Sequence, residues 1–238
     1  AKNAGLKHVI TNGINPETNR KCLELSKKYD IVKCGIGIYP RSALKKEIEN
    51  GDYPLKIVDF DVDEEIEFIK KNKSDIVAIS EVGLDFVDGE DKQQIEDFEK
   101  MIKLAEELKK PIVVHSRKAE QKCIEILESS KLKKVVMHCF CGKKSLVKRV
   151  ADNGWFLTVP TIVVRSQQFQ DIVRNVSLSQ LFCETDSPYL SPYKGVEREH
   201  AQSHAGQSNE PAYVIESYNK IAEIKQMDIT EVVNNIYI

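Results

Sequence analysis

Four side chains that can bind a divalent cation each follow a short apolar run. Glu81 follows "DIVAIS", His115 follows "PIVV", His138 follows "KVVM" and Asp186 follows "LFCET". Two imidazoles combined with carboxylates are ligands that suit Zn, Mn or Mg, and a cation that keeps an open position can activate water. The residue types therefore predict a metal site. The alternative is a buried polar network formed by the same residues.

The elements that must position these side chains follow from the hydrophobic pattern. Short runs rich in Val and Ile alternate with charged segments of helical period, which is typical of parallel strands joined by helices. We predict strands at residues 7–12, 31–38, 75–83, 111–116, 134–140, 155–159 and 181–186. We predict helices at residues 16–29, 62–72, 92–110, 119–130, 143–153, 167–175, 210–226 and 229–238.

This order predicts an α/β fold of the (β/α)8 TIM-barrel type, forming a single domain over residues 1–238. A closed barrel needs eight strands, so we expect the first strand to lie upstream of residue 1. An open doubly wound sheet is the alternative, but the sequence lacks the Gly-rich turn of that fold. In a barrel, the carboxyl ends of the strands form the catalytic mouth, so the four ligand-type side chains are expected at one rim.

Composition excludes several functional classes. The net charge is −2 and the pI is about 6.3, unlike proteins that hold nucleic acid mainly through a basic surface. The sequence has no apolar run long enough to span a bilayer and no secretory signal at its start, so we expect no membrane association. The six cysteines lie mostly in apolar runs, which favours reduced thiols and a cytoplasmic location.

Weaker features accompany these residues. Arg117 suits either a phosphate clamp or an ion pair at the mouth. Residues 191–209 lack periodicity and are too long for a simple connector, so we interpret them as a functional loop. His200 and His204 in this loop are interpreted as surface or substrate-loop residues. Cys139 and Cys141 are interpreted as packing or loop residues, because a lone CxC is a weak metal signal.

Five motifs together resemble the TatD-related family of metal-dependent deoxyribonucleases, within the amidohydrolase-like barrels. They are "SEVGLDF", "PIVVHSRKA", "VVMHCFCG", "CETDSPYLSP" and "SNEPAYV", in the order and at the approximate spacing of that family. The similarity runs from about Gly5 to the C-terminus. The resemblance implies a barrel with one or two divalent metal ions that hydrolyses phosphodiester bonds, with single-stranded DNA or DNA ends as the expected substrate. We infer no obligate protein partner.

The resemblance also implies roles for individual residues. Glu81 would bridge two metals, His115 and His138 would bind one of them, and Asp186 would bind the other and orient or deprotonate the attacking water. The remaining matches are to family residues that support the metal ligands or face the substrate, and they are Asp85, Arg117, Asn209 and Glu210.

Three departures from the family pattern affect these expectations. The family's first strand ends in Asp-x-His-x-His, and no HxH occurs in the 238 residues, which agrees with an upstream first strand. Tyr39 stands where the family's "GxHP" has histidine, so a candidate substrate or proton contact becomes a phenol. Ala205 and Ser208 stand where arginines are usual. The open alternatives are a metal-dependent hydrolase of a carbon ester, lactone or amide, and a non-catalytic barrel.

Overall fold

A computed structural model of the chain describes residues 1–52, 54–193 and 209–237. The chain divides into two compact units. The first unit is Lys7–Phe140, and the second comprises Ala1–Leu6 and Cys141–Ile238. This division does not test the expectation of a single domain, which stays a prediction.

The first unit contains a parallel sheet in which the strands lie side by side in chain order. Five helices connect or flank these strands. The strands are β1 (Val9–Gly13), β2 (Val32–Ile36), β3 (Ala78–Gly83), β4 (Ile112–His115) and β5 (Val135–Met137). The helices are α1 (Pro16–Lys28), α2 (Arg41–Glu49), α3 (Val62–Lys71), α4 (Lys92–Leu108) and α5 (Glu120–Glu128).

Local sequence explains where these elements begin and why the sheet is buried. Asn15 and Thr18 form a reciprocal capping box at the start of α1, and Asp61 and Asp91 accept backbone N–H groups at the starts of α3 and α4. The strand residues Ile36, Ile79, Val82, Ile112, Val114, Val135 and Met137 have no solvent exposure. Parallel strands of this kind bury apolar side chains on both faces, and close packing on both sides fixes the positions of their carboxyl ends.

The second unit holds one parallel strand pair and the remaining helices. The strands are β6 (Phe156–Val159) and β7 (Leu181–Cys183). The α-helices are α6 (Lys144–Asp152), α7 (Gln167–Asn175), α8 (Val214–Lys225) and α9 (Ile229–Tyr237). Short 3-10 helices are Lys2–Ala4, Thr161–Val164, Leu178–Gln180 and Pro211–Tyr213.

The seven predicted strands and eight predicted helices are confirmed, with ends that differ by up to four residues. Helix α2 is the one α-helix of the described residues that the sequence pattern did not indicate. Its two large apolar side chains, Leu44 and Ile48, give only a short stripe, and its N-cap residue Pro40 makes no side-chain capping bond. No helix among the described residues has the length and apolar character needed to cross a bilayer.

Candidate active site

Three neighbouring strands of the first unit bring one carboxylate and two imidazoles together. Glu81 lies within β3, His115 is the last residue of β4, and His138 follows β5 directly. The Glu81 Oε1 atom lies 3.2 Å from His115 Nδ1 and 3.7 Å from His138 Nε2. All three side chains are nearly buried, with 11% to 14% exposure. The predicted convergence of these three residues is therefore present in the structure.

His115 faces acidic groups through both ring nitrogens. Nδ1 faces Glu81, while Nε2 lies 2.9 Å from Asp85 Oδ2. A protonated imidazole donates from both nitrogens and so satisfies both carboxylates. A neutral imidazole with its proton on Nε2 would still donate to Asp85 and would leave Nδ1 as an electron-pair donor toward Glu81.

These contacts shift the pKa values of the cluster. Burial opposes the charge of Glu81, but the charge of His138 and the hydrogen bond with His115 outweigh it and lower the pKa of Glu81 to about 2. Burial also disfavours the charged form of His115, but Asp85 and Glu81 together raise the pKa of this histidine. The cluster therefore favours an ionised Glu81 beside a positively charged group.

Asp85 anchors the histidine from the other side. Its side chain is 2% exposed, and Oδ2 accepts hydrogen bonds from His115 Nε2 and, at 2.6 Å, from Arg117 Nε. The backbone of Asp85 is held by the amide of Gln94, which accepts from the Asp85 N–H at 2.7 Å and donates to its carbonyl at 3.0 Å. Burial alone would raise the pKa of Asp85. The hydrogen bond and charge of His115, together with the contacts from the Val87 backbone and Arg117, outweigh burial and lower this pKa.

Two further side chains extend this cluster. The hydroxyl of Tyr39 lies 3.2 Å from His115 Nε2, and its ring is tilted against the imidazole with the centroids 4.7 Å apart. Arg117 Nη2 donates to Glu47 Oε1, so the guanidinium lies between the carboxylates of Glu47 and Asp85. Burial raises the pKa of Glu47, and the charge of Arg117 opposes that change without cancelling it.

The second unit carries the other predicted site residues. Asp186 lies three residues beyond the end of β7 and has a left-handed backbone with φ 57°. Asn209 is 3% exposed, and its Nδ2 lies 2.5 Å from the carbonyl of Thr185, the residue before Asp186. The same Nδ2 lies within 3.2 Å of the Tyr189 and Leu190 carbonyls and of Thr161 Oγ1. Glu210 is exposed at the start of the 3-10 helix Pro211–Tyr213.

The donor set of the first unit suits a divalent cation in its chemistry. Two ligand atoms that each lie about 2.1 Å from a tetrahedral ion are separated by about 3.4 Å, and the two Glu81–imidazole distances bracket that value. The hydrogen bond that the far nitrogen of His115 donates to Asp85 is the usual support for a metal-binding imidazole. Among the described residues, however, no group of three or more His, Cys, Asp or Glu side chains has the arrangement needed to hold a metal ion.

The structure thus brings together Glu81, His115, His138, Asp85, Arg117 and Tyr39 among the residues that the sequence singled out. Sequence reasoning missed Glu47 and Gln94. Glu47 lies on the unpredicted helix α2, and the Leu44–Ile48 spacing after Pro40 was the one signal for it. His200, His204, Ala205 and Ser208 lie outside the described residues.

Comparison with known proteins supports a specific family. Residues 1–237 match the family model described as TatD related DNase. An uncharacterized metal-dependent hydrolase of Methanocaldococcus jannaschii is 34% identical over 96% of this chain and 82% of its own length. The human deoxyribonuclease TATDN3 is 31% identical over 98% of this chain and 82% of its own length.

Solved structures agree on the fold. The TatD homologue YJJV of Escherichia coli K12 superposes with a TM-score of 0.80 at 22% identity, covering 98% of this chain and 85% of that one. A TatD family hydrolase of Entamoeba histolytica gives a TM-score of 0.79 at 22% identity, covering 99% of this chain and 84% of that one. The predicted α/β fold of the TIM-barrel type is confirmed, with seven strands in the described residues instead of eight.

Proposed function

The chain belongs to the TatD-related DNase family, and we propose on that premise that it is a metal-dependent hydrolase that cleaves phosphodiester bonds of DNA. The observation that carries the proposal is the position of Glu81 between the imidazoles of His115 and His138. The name of the human relative supports DNA as the substrate. The name of the archaeal relative supports metal dependence.

We assign the cation ligands to Glu81, His115 and His138 in the first unit, with Asp186 as a further ligand. Zn, Mn and Mg are all compatible with these residue types, and one or two ions are expected. When bound, such a cation would lower the pKa of a water molecule and stabilise negative charge on a phosphoryl oxygen. The depressed pKa of Glu81 keeps this carboxylate ionised at neutral pH, as a metal ligand must be.

The remaining polar residues of the proposed site have positioning and proton-transfer roles. Asp85 accepts a hydrogen bond from His115 Nε2, which fixes the imidazole plane and leaves Nδ1 directed at Glu81. Asp186 would accept the proton of the attacking water as the general base. Arg117, with a side chain 42% exposed, would contact a substrate phosphate. Glu210 is exposed and would contact a polar group of the substrate other than a phosphate, because a carboxylate repels an anion. Tyr39 and Asn209 are buried, so we propose that they act on the substrate through His115 and through the loop that contains Asp186.

The six cysteines lie mostly in apolar runs, which favours reduced thiols, and we propose that the protein works in the cytoplasm. Two further functions remain as alternatives to DNA hydrolysis. A cation at this site would polarise the carbonyl of a lactone or amide equally well. A protein that binds no metal would instead serve as a non-catalytic barrel.

The test is to titrate the metal-free protein with Zn, Mn and Mg and to assay a labelled single-stranded DNA oligonucleotide beside a panel of lactones. We expect DNA shortening that depends on the metal and disappears in Glu81→Gln. Turnover of a lactone without DNA cleavage would support the carbon-centre hydrolase. Binding of less than about half an equivalent of any of these metals, without turnover, would contradict both hydrolase readings.

A further inference from the structure

Arg117 is held in one orientation although much of its side chain faces solvent. Its Nε donates to Asp85 Oδ2 at 2.6 Å and its Nη2 donates to Glu47 Oε1. The Asp85 side chain is 2% exposed and the Glu47 side chain 13% exposed, so both acceptors are fixed by burial. No described residue accepts a hydrogen bond from Nη1. A planar guanidinium fixed on two nitrogens in this way still presents donors to an anion.

Glu47 is itself held by a helix that is anchored to the same part of the unit. The first residue of α2, Arg41, donates from Nε to Asp97 Oδ2 at 2.8 Å. Ser42 accepts from Gln94 at 3.0 Å, and Gln94 also binds the backbone of Asp85. Helix α2 therefore shares an anchor with the aspartate on the other side of Arg117. The two carboxylates that hold the guanidinium are therefore linked through Gln94.

One oxygen of the Glu47 carboxylate is placed where it lowers the stability of the folded protein. Its Oε2 atom is buried and has no hydrogen-bond partner among the described residues. Folded proteins keep few such atoms, and each one calls for an explanation. An acidic group beside Arg117 also opposes the approach of an anion by simple charge repulsion. The contact that Glu47 does make, through Oε1, orients the guanidinium.

We infer that Glu47 is a positioning residue that holds Arg117 ready to bind a phosphate group of the substrate. This inference rests on the proposed function, because it assigns the anion that Arg117 would bind to a nucleic-acid backbone. Guanidinium–phosphate pairs are strong when two parallel hydrogen bonds form, and they depend on the angle of the guanidinium plane. Loss of Glu47 should therefore weaken phosphate binding even though it removes a negative charge.

The test compares Glu47→Ala with Glu49→Ala, which removes the same charge from an exposed position on the same helix. Both substitutions favour helix, so α2 should persist in both. We measure the affinity of the metal-free full chain for a fluorescent single-stranded DNA oligonucleotide by anisotropy. Positioning predicts about tenfold weaker binding for Glu47→Ala. Charge repulsion predicts equal or tighter binding, and this is the result expected for Glu49→Ala.

A double-mutant cycle separates positioning from a general loss of structure. In an Arg117→Ala background, Glu47→Ala should weaken binding no further, since the group that it orients is absent. Glu47→Gln keeps an oxygen that can accept from Nη2, so it should restore part of the affinity. A further tenfold loss in the Arg117→Ala background would overturn the inference. So would equal affinities of the wild type and Glu47→Ala, or a wild type that does not bind.

DNA cleavage is assayed separately on the metal-loaded protein. A wild type that binds with the expected dependence on Glu47 but does not cleave would overturn the proposed function and support the inference. Cleavage together with an affinity that is independent of Glu47 would overturn the inference alone. In an active enzyme, Glu47→Ala should raise KM about tenfold and leave kcat within about twofold, because the guanidinium contacts the phosphate and not the attacking water.

Discussion

Two parts of the molecule position candidate site residues by different physical means. In the first unit, charged side chains hold one another: Glu81 and Asp85 face the two nitrogens of His115, and Asp85 also binds Arg117. In the second unit, the neutral amide of Asn209 contacts backbone carbonyls of the loop that contains Asp186. The first arrangement, here called the charged region, depends on the ionisation of its side chains. The second, here called the neutral region, comprises Asn209 and the loop around Asp186, and it depends on shape and on the direction of its hydrogen bonds.

This difference determines which substitutions damage each region. Replacements that remove a charge but keep the shape of the side chain should act strongly on the first region. Its side chains are buried and compensate one another's charge. The second region contains a carboxylate whose backbone is held by uncharged groups. It should respond most to substitutions that place a new charge or remove a donor beside the buried carbonyls.

The largest effect is expected at the centre of the charged region. Glu81→Gln keeps the shape of the side chain and removes the charge that both imidazoles face. We expect DNA hydrolysis to fall by about a hundredfold to a thousandfold or more, the size typical for loss of one group aimed at the reacting centre. Steady-state rates at saturating metal measure this effect.

Its control is Glu96→Gln, on an exposed position of helix α4. This variant should retain wild-type rates. Circular dichroism should show that Glu81→Gln still folds. Full turnover by a folded Glu81→Gln protein would remove Glu81 from the site.

The second effect is expected in the neutral region. Asn209→Asp is nearly isosteric but turns the donor that faces four oxygens into an acceptor. We expect the free energy of unfolding to fall by about 3 kcal/mol, because a buried charge is left without compensation. Asn209→Ala should cost less, about 1 to 2 kcal/mol, since it only leaves the oxygens without their donor.

Urea denaturation of the two variants measures this ranking. The effect should be independent of added metal if Asn209 acts on the loop backbone alone. A fully stable Asn209→Asp protein would show that these contacts do not hold the loop.

The third effect is expected where Asp85 supports His115. Asp85→Asn keeps an oxygen that can accept from His115 Nε2 but removes its charge, so the imidazole becomes a weaker ligand. We expect metal affinity to fall about 10- to 100-fold, which titration calorimetry would measure. Gln94→Glu should act in the same direction, because it removes the donor to the Asp85 carbonyl. Unchanged affinity in both variants would contradict the positioning role of Asp85.

The sequence was sufficient to predict the charged region because strand ends are set by local pattern. Glu81, His115 and His138 each accompany a Val- or Ile-rich run, and adjacent parallel strands place such residues at one edge. Asp186 does not share this simple placement, because β7 ends at Cys183 and Asp186 itself, three residues further on, has a left-handed backbone.

Contacts between distant segments were beyond the sequence pattern. Glu47 and Arg117 are 70 residues apart, and their pairing depends on how α2 packs against α4. Helix α2 was itself unpredicted because its short apolar stripe gives little periodic signal. The role of Asn209 was likewise hidden, because a polar residue before a 3-10 helix carries no sign of which backbone carbonyls it will bind.

The smallest effect is the pH dependence that the charged region gives to the metal-free protein. The pKa of His115 is raised above 6.5, so its charged form adds stability that is fully present below pH 6.5 and lost as the pH rises through the folded-state pKa. The pKa of Glu81 falls from 4.5 to about 2, so its contribution is present above pH 4.5 and lost as the pH falls toward 2.

The free energy of unfolding should therefore decline on both sides of the interval between pH 4.5 and 6.5, insofar as these groups control it. For one titrating group the slope cannot exceed about 1.4 kcal/mol per pH unit. Urea denaturation of the metal-free protein, kept in a chelator, measures this decline from pH 5 to 9. The decline should be smaller in Glu81→Gln, because His115 loses a charge that raises its pKa. Added Zn should reverse the trend, since a metal needs the imidazole deprotonated. Equal slopes in the two proteins would show that the Glu81–His115 pair does not control this pH dependence.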